Sequence, residues 1–150
     1  MLPRITIITP SFNRADLIGQ AIESVIVQGY RELEHIVMDA MSTDGTASVL
    51  SRYPHLITRI EPDRGLYDAL NNGLKIASGE IIGLLNSDDR YEEGTFLEIG
   101  RIFEADQKID VLIGAAGIFE TTASGEDLQD QYPSISADGL LDGLIFGAPA

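Results

Sequence analysis

Residues 80–89 read Glu-Ile-Ile-Gly-Leu-Leu-Asn-Ser-Asp-Asp, an apolar run that ends abruptly in four polar side chains. The apolar part, residues 81–85, has the length of a buried strand, so the polar residues 86–89 directly follow a strand end. Two carboxylates about 4 Å apart repel each other by about 4 kcal/mol at an effective dielectric constant of 20. Such a pair can occur on a solvated turn. It can also bind a divalent cation that at the same time contacts an anionic ligand. Taken alone, the pair is more simply explained as a polar turn.

Strand patterns alternate with helix patterns along the chain. Strands are predicted at residues 4–9, 33–38, 56–61, 81–85 and 110–114, and helices at about 14–28, 44–52, 66–77 and 92–105. Asn13 is predicted to cap the first helix, and Ser42 or Thr43 the second. Residues 115–120 are a candidate strand, residues 121–137 are polar and predicted to be loop, and residues 140–146 are apolar.

This alternation predicts an α/β fold, an α/β/α sandwich with a largely parallel central sheet. In such sheets ligands bind in the crevice at the carboxyl ends of the strands. The unusual polar residues of the sequence fall at four of these ends, in residues 9–13, 39–44, 61–65 and 86–89. The position of the Asp88–Asp89 pair therefore favours a functional site over a plain turn.

Composition narrows the classes of ligand. The chain has 150 residues, a net charge of −14 and no cysteine, which excludes disulfides, thiolate metal sites and cysteine nucleophiles. Such an acidic chain is a poor partner for nucleic acid, so a phosphate ligand needs a metal or a few placed arginines. The sequence shows no signal peptide and no apolar run long enough to span a bilayer. A cytoplasmic location is the default expectation.

The polar residues at the strand ends suggest a nucleotide. Neither G-x-G-x-x-G after the first strand nor a P-loop is present, so a dinucleotide site and an ATPase-type loop are unsupported. The strand ends supply three carboxylates, Asp39, Asp88 and Asp89, and one arginine, Arg64. If extended geometry continues through residues 88 and 89, their side chains point to opposite faces and do different jobs. The set fits a nucleoside diphosphate: one carboxylate for the base, one for the ribose, and one with a metal for the diphosphate.

Four motifs carry a resemblance to a known family. They are Ile5-Thr-Ile-Ile-Thr-Pro-Ser-Phe-Asn-Arg14, Ile36-Val-Met-Asp-Ala-Met-Ser-Thr-Asp-Gly-Thr46, Glu61-Pro-Asp-Arg-Gly-Leu-Tyr-Asp-Ala-Leu-Asn-Asn-Gly73 and Gly79-Glu-Ile-Ile-Gly-Leu-Leu-Asn-Ser-Asp-Asp89. In this order and spacing they resemble a family 2 glycosyltransferase with the GT-A fold, which is Rossmann-like. Each motif is weak alone, and the four together are specific.

The resemblance implies a role for particular residues. It assigns nucleotide binding to Thr9, Pro10, Phe12, Asp39, Arg64, Asp68 and Asp88, and it makes Asp89 the ligand of Mg²⁺ or Mn²⁺. Within that set, Pro10 and Phe12 line the base pocket, Asp39 takes the base N–H, Asp88 faces the ribose and Arg64 lies near the diphosphate. The sequence departs from the family pattern twice. Asn86 stands where the metal motif often begins with an aspartate, and Ala40 and Met41 replace an Asp-Gly pair.

The resemblance also implies a reaction, the metal-dependent transfer of a sugar, with inversion, from a nucleotide-diphosphate sugar to a saccharide or lipid-linked acceptor. The expected donor is UDP-linked, and the expected pathway is surface polysaccharide synthesis. The catalytic base is unknown and expected outside these residues, so residues 1–150 are predicted to be a single nucleotide-sugar-binding domain, the N-terminal part of a longer enzyme. Peripheral association with a membrane remains open.

Two alternatives stay open at this point. The first is a non-catalytic nucleotide-sugar-binding or interaction domain of the same fold. The second is a nucleotidyltransferase with a similar crevice, which would want a Gly-rich, basic loop after the first strand. Residues 10–13, Pro-Ser-Phe-Asn, do not provide that loop.

Overall fold

A computed structural model describes residues 1–122 and 125–132 of the chain. The chain divides into two compact units, residues 1–105 and residues 106–150. The expectation of a single domain over residues 1–150 stays a prediction. Among the described residues, no helix combines the length and the apolar character that crossing a bilayer requires.

The first unit is built on a four-stranded parallel sheet. Its strands are β1 (Ile5–Ser11), β2 (Leu33–Asp39), β3 (Ile57–Ile60) and β4 (Ile81–Leu84), in the spatial order β3-β2-β1-β4. The pairing is in parallel register, with Ile8 opposite Ile36 of β2 and opposite Leu84 of β4. All seven residues of β1 are buried, as expected for a strand covered on both faces.

Helices cover both faces of this sheet, which confirms the predicted α/β/α sandwich. They are α1 (Ile18–Ile26), α2 (Thr46–Leu50), α3 (Leu66–Ile76) and α4 (Thr95–Ala105). Alternate residues of β1 serve the two faces: Ile7 packs with Val25 of α1 and Phe96 of α4, whereas Ile8 packs with Ala69 of α3. The two faces of β1 are therefore buried against amphipathic helices, whereas Leu66 and Leu74 of α3 and Leu84 of β4 remain about half exposed.

The predicted helix caps are wrong. Leu17 is the N-cap of α1, and Gly45, with φ of 102°, is the N-cap of α2. The side chains of Asn13 and Ser42 instead each accept a hydrogen bond from a backbone N–H of the other's loop. Cap-type residues bond whichever backbone groups the tertiary structure brings near, so the same polar residues join two loops here.

A buried carboxylate holds the start of β4 against the centre of the sheet. Glu34 Oε1 accepts hydrogen bonds from Thr6 Oγ1 at 2.8 Å and from the Ser78 N–H at 2.9 Å. Thr6 Oγ1 in turn accepts from the Gly79 N–H at 2.8 Å. Burial raises the pKa of the Glu34 carboxyl, but the bonds from Ser78 and Thr6 outweigh that effect and leave the pKa below its usual value. The network positions the strand that leads into residues 86–89.

The second unit contains an antiparallel hairpin, β5 (Ala116–Thr122) and β6 (Gly125–Tyr132). The candidate strand at residues 115–120 is confirmed by β5. The predicted strand at residues 110–114 is wrong, and the predicted loop at residues 121–137 is wrong where β5 ends and β6 forms. At residues 110–114 only Ile113 makes an isolated bridge. The backbone hydrogen bonds of a hairpin form without the help of apolar side chains. A polar strand such as β6 therefore lacks the alternation of apolar and polar residues by which a strand is predicted. The apolar segment 140–146 lies outside the described residues.

Replacement of Gly73 by alanine tests the contact between α3 and the sheet. A Cβ at Gly73 would lie 2.6 Å from Cγ2 of the buried Ile8. Overpacking costs about 1–3 kcal/mol, and the gain in helix propensity offsets up to about 1 kcal/mol of it. We expect Gly73→Ala to lower the free energy of unfolding by about 1–2 kcal/mol in urea titrations. Gly19→Ala is the matched control, because its Cβ would meet Tyr53 at an ordinary 3.7 Å; a loss of the same size there would contradict the packing explanation.

Candidate nucleotide-binding crevice

A crevice of about 780 Å³ lies at the carboxyl ends of the strands of the first unit. Its walls come from the loops that follow all four strands, as the sheet topology requires for a parallel α/β fold. The residues that line it are Pro10, Ser11, Phe12, Arg14, Ala40, Met41, Pro62, Asp63, Gly65, Leu66, Ala69, Asn86, Ser87 and Asp88.

The loops after β1 and β2, which both contribute lining residues to the crevice, are hydrogen-bonded to each other. The Asn13 N–H donates to Ser42 Oγ at 2.8 Å, and the Thr43 N–H donates to Asn13 Oδ1 at 2.9 Å. Asn13 and Met41 have positive φ angles of 52° and 59°, a conformation that non-glycine residues rarely adopt. Such backbone persists where surrounding contacts determine it, and here the bonds between the two loops do so.

Asp44 extends this connection to the start of α1. Its Oδ2 accepts from the Ala15 N–H at 2.9 Å, and its Oδ1 accepts from Thr46 Oγ1 at 2.6 Å. These bonds, that from Ala15 first and that from Thr46 next, hold the pKa of the Asp44 carboxyl below its usual value. The Arg14 N–H donates to Thr46 Oγ1 at 3.1 Å, so the backbone of Arg14 is anchored to the β2 side of the crevice.

Asp39 lies beneath the crevice wall rather than on it. It is the last residue of β2, is only 1% exposed, and accepts from Ser42 Oγ at 2.6 Å and from the Ser42 N–H at 2.9 Å. The lining residues Ala40 and Met41 follow it directly. Thr9 is also fully buried, and a hydrogen bond of 2.9 Å joins its Oγ1 to His35 Nε2. The contacts of Asp39 and Thr9 with a nucleotide stay predictions.

Arg64 and Asp68 form an ion pair beside the crevice. Arg64 Nη2 lies 2.9 Å from Asp68 Oδ1, and the Arg64 side chain is 89% exposed. The hydrogen bond and the opposite charge raise the pKa of Arg64 and lower that of Asp68. Neither residue is among those that line the crevice, although Asp63 and Gly65, their neighbours in the chain, are. An exposed pair of this kind adds little stability.

Residues 86–89 form a turn, so extended geometry does not reach them. β4 ends at Leu84, and the Asp89 N–H donates to the Asn86 carbonyl at 3.1 Å, while Asn86 Nδ2 donates to Asp89 Oδ2 at 2.8 Å. Strand alternation therefore does not separate Asp88 from Asp89, contrary to the sequence-based expectation. The turn separates them in another way: Asp88 lines the crevice, and Asp89 bonds to the lining residue Asn86.

The structure brings together three of the predicted residues, Pro10, Phe12 and Asp88, on the crevice wall. It also places polar residues there that sequence reasoning did not select. Arg14 belongs to the first motif, where the resemblance assigns it no role, and Asp63 belongs to the turn that ends the third strand. Their signal was the same as that of the selected residues, a polar side chain at the carboxyl end of a strand. The missed residues with polar side chains are Ser11, Arg14, Asp63, Asn86 and Ser87.

The oxygen donors at residues 86–89 fit a magnesium- or manganese-type cation. Among the described residues, no group of three or more metal-ligating His, Cys, Asp or Glu side chains is present. Mg²⁺ does not need one, since proteins usually bind it through one or two carboxylates together with substrate phosphates and water. The turn offers two carboxylates and an amide oxygen within four residues.

A parallel sheet with a ligand crevice at its carboxyl ends defines the general class, and comparison with known proteins defines the family. The pattern of the family described as Glycosyl transferase family 2 matches residues 6–139. The chain belongs to this family, and its fold is GT-A, which confirms the resemblance drawn from the four motifs. It is classed accordingly as a glycosyltransferase.

Two relatives and one solved structure illustrate the similarity. The chain is 35% identical over 96 residues to TuaG of Bacillus subtilis (strain 168), a glycosyltransferase assigned to teichuronic acid biosynthesis, covering 61% of this chain and 38% of TuaG. It is 36% identical over 99 residues to the GalNAc(5)-diNAcBac-PP-undecaprenol beta-1,3-glucosyltransferase of Campylobacter jejuni, covering 62% and 32%. The mannosyltransferase PcManGT of Pyrobaculum calidifontis, solved with GDP-Man and Mn²⁺, superposes with a TM-score of 0.63 at 33% identity, covering 77% and 35%. The chain thus spans about a third of the length of each.

Proposed function

We propose that this chain provides the donor site of a metal-dependent, inverting glycosyltransferase that uses a nucleotide-diphosphate sugar. The observation that carries the proposal is the crevice itself, which is lined by Phe12 after β1 and by residues 86–88 after the neighbouring strand β4. Its volume of about 780 Å³ lies within the range of about 300–1,000 Å³ that is typical of small-molecule sites.

The charges of the crevice favour a donor that arrives with a cation. Asp63 and Asp88 line it, and the whole chain carries a net charge of −14, so a bare diphosphate would be repelled. Asp89 is proposed as the main ligand of Mg²⁺ or Mn²⁺, with Asp88 and Asn86 beside it. When bound, the cation would offset the negative charge that builds up on the departing diphosphate.

The other predicted site residues are proposed to bind the base, the ribose and the diphosphate of the donor. Phe12 and Pro10 are proposed to stack against the base, and the buried residues Asp39 and Thr9 are proposed to lie behind this platform. Asp88 is proposed to accept a hydrogen bond from the ribose. The Arg64–Asp68 pair is proposed to flank the diphosphate. UDP is the proposed nucleotide, and the GDP-Man complex of PcManGT makes guanine the competing base.

The acceptor is proposed to be a saccharide or a lipid-linked saccharide in surface polysaccharide synthesis, on the cytoplasmic side of the membrane. The names of the relatives support this class: TuaG is assigned to teichuronic acid biosynthesis, and the Campylobacter jejuni enzyme acts on an undecaprenol-linked saccharide. Inversion requires a base that deprotonates the acceptor hydroxyl as the sugar is displaced. No residue is proposed for that base.

Calorimetric titration of the 150-residue chain with UDP, with and without Mn²⁺, tests the proposal. Saturable binding that chelation of the metal weakens at least tenfold is the expected result. Equal binding with and without the metal would reject metal dependence, and the lack of any nucleotide binding would reject the donor site. Donor binding without sugar transfer to any saccharide or lipid-linked acceptor, tested with the complete gene product, would favour a non-catalytic binding domain.

Truncation of Phe12 tests the base platform. The side chain is 58% exposed on the crevice wall, so its removal leaves the core intact. Stacking of a base on an aromatic ring contributes about 1–3 kcal/mol. We expect Phe12→Ala to weaken UDP binding by roughly 5- to 150-fold in calorimetry, with an unchanged unfolding midpoint. Phe12→Tyr keeps the ring and serves as the control; equal weakening by both variants would contradict a stacking role.

A further inference from the structure

Arg14 is the only cationic side chain among the crevice-lining residues that the structure describes. Its partners in the fold are few. Nη1 donates a long hydrogen bond of 3.5 Å to the carbonyl of its neighbour Asn13, and within the described part of the chain no ion pair engages the guanidinium. A cation kept unpaired at the wall of an acidic crevice is positioned for a ligand, and the roles proposed above do not use it.

The anchoring of its backbone holds Arg14 on the β2 side of the crevice. The Arg14 N–H bonds to Thr46 at the start of α2, and the adjacent Asn13 N–H bonds to Ser42 in the loop after β2. In the sheet order β3-β2-β1-β4, the loop after β2 and the turn after β4 lie on opposite sides of β1. Two strand spacings amount to about 10 Å. Phe12, the proposed base platform, lies two residues before Arg14 in the loop after β1, and both line the crevice, so a base that stacks on Phe12 lies near Arg14.

We infer that Arg14 selects the base of the donor by donating to an exocyclic carbonyl oxygen, an inference that rests on the proposed donor site. A guanidinium carries five N–H donors and no acceptor. Uracil presents O4 and guanine presents O6 as acceptors, whereas cytosine and adenine carry amino donors at the corresponding positions. Arg14 thus favours uracil over cytosine among pyrimidines and guanine over adenine among purines.

Titration with paired nucleotides in saturating Mn²⁺ isolates this preference. The wild-type chain is expected to bind UDP at least tenfold more tightly than CDP, a difference of about 1.4 kcal/mol, and GDP more tightly than ADP. Arg14→Met removes the donors while keeping an unbranched side chain. It is expected to weaken UDP binding about tenfold, to leave CDP and inorganic pyrophosphate within about twofold, and to bring the UDP-to-CDP ratio near one.

Two further variants separate this role from charge and from folding. Arg31→Met removes the same charge from a side chain that is 95% exposed and does not line the crevice, and it is expected to keep the wild-type ratio. Arg14→Lys keeps the charge with a different donor geometry and is expected to retain part of the preference. Thermal unfolding of Arg14→Met should match that of the wild type, because the side chain makes no contact with the core.

The outcomes are distinguishable. If Arg14→Met weakens UDP, CDP and pyrophosphate equally, the residue acts on the phosphates and the inference is overturned. If it leaves the UDP-to-CDP ratio unchanged while the wild type binds UDP with Mn²⁺, the inference alone fails and the donor site stands. If the wild type binds no nucleotide, both fail together.

Discussion

Asp89→Asn is expected to reduce the affinity for UDP in the presence of Mn²⁺ by at least about 100-fold, a loss of about 2.7 kcal/mol. The substitution removes the negative charge of the proposed main metal ligand. It keeps the shape of the turn, because an amide oxygen at this position still accepts the hydrogen bond that Asn86 Nδ2 donates to Asp89 Oδ2 at 2.8 Å. Calorimetric titration with UDP, repeated with and without Mn²⁺, measures the effect.

The comparison with metal removal makes this experiment specific. If Asp89 acts by holding the cation, Asp89→Asn with Mn²⁺ and the wild type with a chelator should bind UDP equally weakly. Adding the chelator to Asp89→Asn should then change little. A variant that remains fully responsive to the metal would show that other residues hold it.

Two matched controls complete the design. Asp88→Asn is expected to weaken UDP binding by less than about tenfold and to preserve the metal response, because an amide oxygen can still accept from a ribose hydroxyl. Asp16→Asn removes the same charge from an exposed residue outside the crevice and is expected to change nothing. Loss of binding in Asp16→Asn would show that net charge, rather than ligation, controls affinity.

The stability of the first unit is expected to fall by about 3 kcal/mol as the pH is lowered from about 6.5 to about 4, through the titration of His35. The ring is 2% exposed, and among the described residues its Nδ1 has no hydrogen-bond partner. Burial first, and then the nearby charge of His55, lower the pKa of His35 from 6.5 to about 4. In this interval the unfolded chain binds a proton that the folded chain does not, so stability decreases as the pH falls.

Urea titrations at pH 7 and pH 5 measure this effect. A loss of about 2 kcal/mol is expected for the wild type between these two values. His35→Gln keeps a hydrogen-bonding nitrogen near the position of Nε2, which bonds Thr9 Oγ1 at 2.9 Å, and cannot titrate. It should show little change between pH 7 and pH 5, whereas His55→Gln should retain most of the loss. An equal loss in His35→Gln would assign the pH dependence to other groups.

Local sequence predicted much of the first unit because its strands and helices carry strong periodic signals. β1 and β2 are short runs rich in β-branched residues and leucine or methionine, and α1 and α3 carry apolar faces at the helical period, so the sandwich and its four parallel strands follow from pattern alone. The hairpin of the second unit was missed at β6, because its sequence Gly-Glu-Asp-Leu-Gln-Asp-Gln-Tyr has no apolar alternation.

The sequence by itself determined the fold class, the family and the edge of the sheet at which the crevice opens. Parallel strands place all their carboxyl ends together, so residues 10–12 after β1 and residues 86–89 after β4 had to meet. Only the tertiary structure decided which of these residues face the crevice. Asp39 is withdrawn beneath the wall by two hydrogen bonds from Ser42, and Arg14 is placed on the wall by the bond between its N–H and Thr46. The bond from Arg14 to Thr46, and the bond from the Asn13 N–H to Ser42 Oγ that holds this serine in place, join loops that are about 30 residues apart in the chain, and no local pattern records them.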